Sequence, residues 1–232
     1  MLYNLDEKEN VRCFSTELHE DDYQIDFQGG ELLLNWSIIQ EIVEYAEIVN
    51  RFAKRKLEFV ICTNLTLIDE EKLYYCKDHN ICISTSLDGN EEIQNKYRKT
   101  REGFNGYQKF IQGLNVTRTI LGKDACSPLM TVTKENLKQI TKSIDHYIEC
   151  GFNGVFLRAL NPYGYAVTNY ELLGYDVDEF VDGYKNALLY IIEQNKKGYY
   201  FIEYYAMLLL QRILTPFATG FVDLQSPCGN II

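Results

Sequence analysis

The sequence predicts an α/β fold with a parallel sheet, because strand-like and helix-like segments alternate about five times along its 232 residues. Each strand-like segment is a short run closed by turn residues, and the segments between them carry apolar residues at helical spacing. Alternation of this kind favours right-handed crossovers between parallel strands. A doubly wound sheet and a (β/α) barrel both fit the pattern, and periodicity does not separate them.

Five segments are predicted as strands from their length, composition and flanking turns. The first, YQIDF, alternates apolar and polar residues and ends at a Gly-Gly pair. The third ends at an Asp-Gly turn, and the fifth ends at Asn-Pro. The five predicted strands are residues 23–27, 57–62, 81–86, 127–133 and 154–160.

The helices are predicted from apolar residues spaced three and four apart. Asn35 is a candidate N-cap for the first helix, and Asp69 is a candidate N-cap for the second, which runs to about residue 79. Residues 88–103 are predicted to be a loop or a short helix, and residues 161–175 a loop. The other predicted helices are 36–54, 107–121, 134–150, 177–195 and about 200–214.

Composition and charge exclude several classes of protein. The net charge of −10 argues against a non-specific nucleic-acid binder, because phosphate binding needs a basic surface. No apolar run reaches the roughly 18 residues of a membrane span, and the first residues have no signal-peptide pattern. We therefore expect no nucleic-acid or membrane partner and a cytoplasmic location.

The seven cysteines are widely spaced and form no C-x-x-C pair, which fits a reducing compartment. Cys62 and Cys82 lie in apolar strand-like runs, where a free cysteine usually behaves as a small buried apolar residue.

The carboxyl ends of parallel strands are where functional residues collect, in a barrel as in a doubly wound sheet. Gly29, Gly30 and Glu31 follow the first strand. Glycines let a ligand approach the backbone and permit positive φ, and the Glu31 carboxylate could then contact an ammonium group. An ordinary turn with a solvated Glu31 is the alternative. Other residues past strand ends are Thr63, Asn64, Thr66, Thr131, Thr133, Asn161 and Tyr163.

Two further groups of polar residues stand at strand ends. Ser86 and Asp88 suit recognition of a ribose or an amide, and Arg98, ten residues beyond Asp88, could clamp a carboxylate. The alternative is a polar loop with an Asp-Gly turn. Arg158 lies in an apolar strand and needs an anionic partner, which could be a ligand or a structural ion pair with Asp88 or Glu31.

Four blocks in this order resemble the radical S-adenosylmethionine (SAM) superfamily: FQGGELLLNWSII, FVICTNLTLID, ISTSLDGNEEIQNKYR and FLRALNPYGYAV. The resemblance covers about residues 20–230 and is closest to the peptide-maturase branch, within it to the radical enzymes of His-Xaa-Ser peptide systems. It implies a partial (β/α)6 TIM-like barrel. It also implies S-adenosylmethionine and a [4Fe–4S] cluster as cofactors, and hydrogen abstraction from a ribosomal peptide.

The resemblance also implies roles for individual residues. Gly29, Gly30 and Glu31 match the family's Gly-Gly-Glu turn, which binds the methionine amino group. Ser86 and Asp88 match a position that contacts the ribose, and Arg98 matches a basic residue that reaches the methionine carboxylate. The remaining two, with lining roles in the barrel, are Asn64 and Arg158.

The chain departs from the family pattern at three places. Only Cys13 precedes Glu31, whereas the family has a Cys-x3-Cys-x2-Cys loop there, and one thiolate cannot hold a [4Fe–4S] cluster. Leu32 stands where the family usually has proline. Cys228, in SPCGN, resembles the start of a Cys-rich extension and is a candidate ligand of an auxiliary cluster.

These departures predict a barrel without its first strand, in a chain that is a fragment, a gene remnant or part of a split enzyme. The predicted domains are an N-terminal remnant (1–22), the barrel core (23–215) and the start of a C-terminal extension (216–232). Alone, the chain is expected to be inactive and to lack the radical cluster. Its expected partners are a peptide of the same gene cluster and a chain that pairs with the exposed barrel edge. A cluster-free module that binds a peptide or nucleotide is the alternative function.

Overall fold

The computed structural model describes residues 11–19, 22–98, 105–161 and 165–215. For residues 11–19, Asp22 and Tyr165 it describes the backbone only. The chain divides into two compact units. Unit 1 comprises residues 1–85, 110–126 and 208–232, and unit 2 comprises residues 86–109 and 127–207. Each unit is an α/β structure with its own parallel strands.

Unit 1 contains the first four strands. They are β1 Val11–His19, β2 Asp22–Gly29, β3 Lys56–Thr63 and β4 Ile81–Ser86, whose last residue falls in unit 2. β1 pairs with β2 in antiparallel fashion, whereas β2, β3 and β4 are parallel. The register places Phe27 beside Ile61, and Ile61 in turn beside Ile83. The alternation of each strand therefore puts one apolar row against the helices.

The helices of unit 1 cover that apolar row. A 3-10 helix, Leu32–Asn35, leads directly into α1 Trp36–Ala53, and α2 Glu70–Asp78 follows β3. Asp69 caps α2 with its side chain, as predicted, whereas Asn35 makes no side-chain cap for α1. The core of this layer consists of Phe27, Leu32, Leu33, Ile39, Val43, Phe59, Ile61, Cys76 and Ile81.

Unit 2 holds three more parallel strands, β5 Cys126–Thr131, whose first residue falls in unit 1, β6 Gly154–Arg158 and β7 Ile202–Glu203. Its helices include α9 Val177–Lys196, which packs on α6. Two helices, α4 Gly106–Leu121 and α10 Tyr204–Leu214, have residues in both units. The remaining helices are α3 Glu91–Tyr97, α5 Lys134–Lys138, α6 Ile140–Glu149, α7 Tyr165–Thr168 and α8 Tyr170–Leu173.

Two strands were not expected from the sequence. β1 precedes β2, where no strand was predicted, and the two residues between them are too few for a parallel crossover, so the pair is antiparallel. β1 therefore covers the edge of β2 that was expected to be exposed. β7 was assigned to a helix, because a two-residue strand carries no periodicity and forms only through pairing with β6.

Two other predictions about local structure were wrong. The helix predicted over 134–150 is broken at Gln139, whose φ of −129° and ψ of 35° are not helical. The loop predicted over 161–175 contains the one-turn helices α7 and α8. Cys82 is exposed, because the alternation of β4 points it away from the apolar row, and Cys62 is half-buried. Among the described residues, no helix is long and apolar enough to span a membrane.

Candidate functional site

Glu31 lies where β2 ends and the 3-10 helix begins, and its carboxylate is held by three hydrogen bonds. Oε1 accepts the N–H of Leu33 at 3.2 Å and the hydroxyl of Thr63 at 2.7 Å. Oε2 accepts the N–H of Asn64 at 3.0 Å. The parallel pairing of β2 and β3 brings the two strand ends together, so the position of the carboxylate depends on both strands.

The hydrogen-bond pattern leaves one side of Glu31 available. A carboxylate offers about four lone-pair positions, and the three protein donors leave one on Oε2. The side chain is only half-buried. Glu31 can therefore accept one more hydrogen bond, and its charge favours a cationic donor such as an ammonium group.

Gly29 and Gly30 form an exposed turn directly before Glu31. A Cβ placed on Gly30 would meet no heavy atom within 4 Å, and the φ of Gly30 lies outside the left-handed region. Conformational strain therefore does not require glycine at position 30. What the missing side chain provides is open space over the backbone of the residue that precedes Glu31.

Asn64 begins a tight loop at the end of β3. Its Oδ1 accepts the N–H and the hydroxyl of Thr66 at 2.9 and 2.6 Å, and its backbone N–H binds Glu31. Leu65 has a φ of 59°, a conformation that costs a non-glycine residue about 1–2 kcal/mol. The side chain of Leu65 is fully buried, and its N–H donates to the Thr63 hydroxyl at 3.1 Å. This strained loop holds the donors that orient Glu31.

Asp88, in unit 2, is buried, and its charge is already paired with an arginine of the chain. Its Oδ2 accepts Nε of Arg98 at 2.5 Å, and its Oδ1 accepts Nη2 of Arg98 at 3.3 Å and the N–H of Thr131 at 3.1 Å. The side chain of Asp88 is 8% exposed, whereas that of Arg98 is 32% exposed. Asp88 therefore orients Arg98, and Arg98 is the member of the pair that solvent or a ligand can reach.

The loop around Asp88 is rigidly held. Asp88 N–H donates to Gln94 Oε1 at 2.9 Å, and Nδ2 of Asn136 donates to the Asp88 carbonyl at 3.2 Å. The hydroxyl of Tyr147 donates to the Leu87 carbonyl, and burial raises the pKa of that tyrosine. Gly89 has a φ of 145°, which confirms the predicted Asp-Gly turn.

Ser86 and Arg158 have polar groups that remain available. The Ser86 carbonyl accepts Nε2 of Gln94 at 3.3 Å, whereas its hydroxyl has no hydrogen bond to any residue within the described ranges. Arg158 ends β6, half-buried, and its side chain makes no ion pair in the part of the chain that the structure describes. Among the described residues, Arg158 therefore pairs with neither Asp88 nor Glu31. Asp88 pairs with Arg98 instead.

A second strand-end glutamate, Glu203, has no lone-pair position left for a further hydrogen bond. It is 4% exposed, and burial raises the pKa of its carboxyl group. Its oxygens accept three backbone N–H groups and one hydroxyl, those of Leu157, Tyr205, Ala206 and Tyr184. Glu203 therefore stabilises the start of α10 and is not a candidate ligand site.

The described cysteines do not fit a [4Fe–4S] cluster. No three His, Cys, Asp or Glu side chains within the described ranges are grouped as metal ligands. Cys76 and Cys126 are buried, and burial raises the pKa of each thiol to about 12, which disfavours the thiolate that binds iron. The side chain of Cys13 and the whole of Cys228 lie outside the described residues.

Several residues of these two sites were not selected from the sequence. Thr63 and Thr131 were noted as strand-end residues, but nothing local shows which carboxylate each would bind. Asn136 looks like an ordinary position in the first turn of a helix, and only the fold directs its amide to the carbonyls of Asp88 and Thr131.

No protein-family model matches this chain. The chain is 26% identical over 143 residues to the uncharacterized protein MJ0907 of Methanocaldococcus jannaschii, a match that covers 62% of the chain and 48% of that protein. It is 26% identical over 166 residues to the cysteine-type anaerobic sulfatase-maturating enzyme of Clostridium novyi, covering 70% of the chain and 42% of that enzyme. It is also 27% identical over 97 residues to the radical SAM cyclopropyl synthase TigE of Paramaledivibacter caminithermalis, covering 42% and 19%.

The fold is similar to part of the solved structures of anSMEcpe. Native anSMEcpe with bound AdoMet superposes with a TM-score of 0.72 at 21% identity, covering 86% of this chain and 54% of that chain. The α/β fold and the partial TIM-like barrel are therefore confirmed. The chain spans less than half the length of the curated relatives it matches. These relatives support the radical SAM superfamily, and the His-Xaa-Ser branch stays a prediction.

Proposed function

We propose that this chain binds S-adenosylmethionine through Glu31 and forms the barrel part of a radical SAM enzyme that modifies a peptide or protein. The relatives named as sulfatase-maturating enzymes and as a cyclopropyl synthase support this class of reaction. So does the neighbouring structure of anSMEcpe, which holds both AdoMet and the Cp18Cys peptide. A ribosomal peptide as the substrate and hydrogen abstraction as the reaction belong to the same proposal.

The observation that carries the proposal is the state of the Glu31 carboxylate. Three protein donors hold it in one orientation, one lone pair of Oε2 remains, and the backbone of Gly30 is open beside it. An α-ammonium group would complete the hydrogen bonding of the carboxylate and match its charge. The roles predicted for Asn64, Ser86, Asp88, Arg98 and Arg158 remain predictions.

Calorimetric titration with two ligands tests the role of Glu31. S-adenosylmethionine carries the amino group, whereas 5′-methylthioadenosine lacks the whole amino-acid part. We expect Glu31→Gln to weaken S-adenosylmethionine binding at least about tenfold, or about 1.4 kcal/mol, and to leave methylthioadenosine binding unchanged. Glu58→Gln is the matched control, because Glu58 lies on β3 and its one ion pair with a described residue is that with Lys56 at 2.7 Å.

Two results would contradict the amino-group contact. Unchanged S-adenosylmethionine affinity in Glu31→Gln would show that the carboxylate does not touch the ligand. An equal loss for both ligands would show that the substitution disrupts the strand ends in general.

The second candidate function is a cluster-free module that binds a nucleotide or peptide. It is favoured by the described thiols, since Cys76 and Cys126 are buried with a raised pKa and cannot readily supply thiolates. Anaerobic reconstitution with iron and sulfide, followed by EPR after dithionite reduction, tests this second candidate. We expect the chain alone to give no [4Fe–4S]⁺ signal, and a signal that S-adenosylmethionine perturbs would exclude this second candidate.

A further inference from the structure

Helix α1 exposes an apolar stripe that the fold does not use. The stripe consists of Tyr45, Ile48, Val49 and Phe52, which are 60, 51, 48 and 88% exposed. Their spacing of three and four residues places them on one face of the helix. A different face of α1 carries Ile39 and Val43 into the core. Packing among the described residues of unit 1 therefore does not explain the stripe.

The size of the stripe indicates an interface. Four side chains of these types with these exposures present roughly 450 Å² of surface, comparable to the largest apolar patch of a typical monomer. Single exposed apolar residues need no explanation, but the largest apolar patch of a monomer is often a functional surface.

Two charged residues flank the stripe on the same edge. Glu44 lies toward the N-terminal end and Arg51 toward the C-terminal end, seven residues apart, with Ile48 close to the midpoint. Both are exposed, and neither forms an ion pair with any residue in the described ranges. The helix therefore carries opposite charges on either side of Ile48, four residues before it and three residues after it.

We propose that α1 pairs with α1 of a second copy of this chain, in antiparallel orientation about a two-fold axis near Ile48. In this arrangement Tyr45 packs against the partner's Phe52, and Glu44 meets the partner's Arg51. Each contact occurs twice because a two-fold interface is self-complementary. A parallel pair would lose this match, because it would place like charges level with each other.

The apolar area that the two stripes would bury indicates a weak dimer. Two stripes bury roughly 900 Å² of apolar surface, and the charged rim adds to that. The total is near the lower limit of about 1,000–1,200 Å² for specific interfaces. We therefore expect a reversible dimer with a dissociation constant in the micromolar range. This surface differs from the sheet edge first expected to associate, which β1 covers along β2.

Sedimentation equilibrium of the full chain over the micromolar range tests the proposal. The wild type should show a monomer–dimer equilibrium, and Phe52→Ser should weaken it at least about tenfold. Leu189→Ser is the matched control, because Leu189 is 64% exposed on α9, in the other unit, and should leave the equilibrium unchanged. Far-UV circular dichroism verifies that each variant is folded. A wild type that stays monomeric, or a dimer that tolerates Phe52→Ser, would overturn the proposal.

A charge exchange tests the orientation of the helices. Glu44→Arg and Arg51→Glu should each weaken self-association, because each variant places like charges together across the axis. Mixing the two variants should produce a heterodimer, and the double variant Glu44→Arg/Arg51→Glu should dimerise like the wild type. Failure of both the mixture and the double variant to associate would refute the antiparallel arrangement, even if Phe52→Ser abolishes the dimer.

Discussion

Gly113, in the middle of α4, is the position where helix propensity and packing predict opposite effects of one substitution. Alanine in a helix interior is favoured over glycine by about 1 kcal/mol. A Cβ on Gly113, however, would lie 2.3 Å from the carbonyl oxygen of Leu65 and 2.9 Å from its Cβ. The clash is with backbone, in the strained loop that orients Glu31, so no side-chain rotation relieves it.

The magnitude follows from these two opposing effects. Overpacking a close-packed site costs about 1–3 kcal/mol, and a backbone contact at 2.3 Å belongs at the upper end of that range. After the gain in helix propensity, we expect Gly113→Ala to lower the free energy of unfolding by about 1–2 kcal/mol. For a chain of this size that corresponds to a fall in Tm of roughly 2–8 °C. Displacement of Leu65 should also weaken S-adenosylmethionine binding.

Gly183→Ala provides the matched comparison. A Cβ on Gly183 would also meet an atom at 2.3 Å, but that atom is Cδ1 of Leu137, the end of a flexible, half-buried side chain. Leu137 can change rotamer, so the gain in helix propensity should offset most of the cost. Urea and thermal unfolding followed by circular dichroism measure both variants. If Gly113→Ala were as stable as Gly183→Ala or the wild type, the close approach of α4 to the loop would be refuted.

Two further predictions concern Thr63 and Asp26. Thr63→Val removes both the hydroxyl donor to Glu31 and the acceptor for the Leu65 N–H, so it should destabilise the chain by about 1–3 kcal/mol and weaken S-adenosylmethionine binding. Thr63→Ser should retain both hydrogen bonds. A Thr63→Val variant equal to the wild type in urea unfolding and ligand titration would contradict this prediction. Burial raises the pKa of Asp26, so the folded chain binds its proton more tightly than the unfolded chain does, and stability should fall as pH rises from about 4 through the folded-state pKa. Asp26→Asn keeps the acceptor for Gln24 but cannot titrate, so the urea midpoint should then depend less on pH in this range. The same pH dependence in the variant and the wild type would count against a buried carboxylate at this position.

Elements with strong local signals were predicted from the sequence within one or two residues. α1 and α2 follow from apolar spacing, and Asp69 caps α2 as expected. β4 has the predicted bounds, because a short alternating run before an Asp-Gly turn has few other local solutions. β7 and the break at Gln139 have no such signal. The strand exists through pairing with β6, and the break follows three residues after Asn136, whose amide donates to the Asp88 carbonyl in the loop after β4.

The candidate site was predicted in its residues but not in its hydrogen bonds. Glu31 and Asp88 both follow strands, and the sequence treats them alike as carboxylates available to a ligand. In the structure Glu31 is half-buried and, among the described residues, accepts only uncharged donors, whereas Asp88 is buried and its charge is paired with Arg98. No property of either carboxylate alone distinguishes the two.

The sequence by itself determined that polar residues stand at the carboxyl ends of parallel strands, because strand length, turn residues and helical spacing are local properties. Only the tertiary structure decided the state of each polar group. Two of the three donors of Glu31 lie at the end of β3, more than thirty residues away, and their approach depends on the register of β2 with β3. Hydrogen bonds between distant segments leave no local pattern in a single sequence, and they decide which of two similar carboxylates can still bind a ligand.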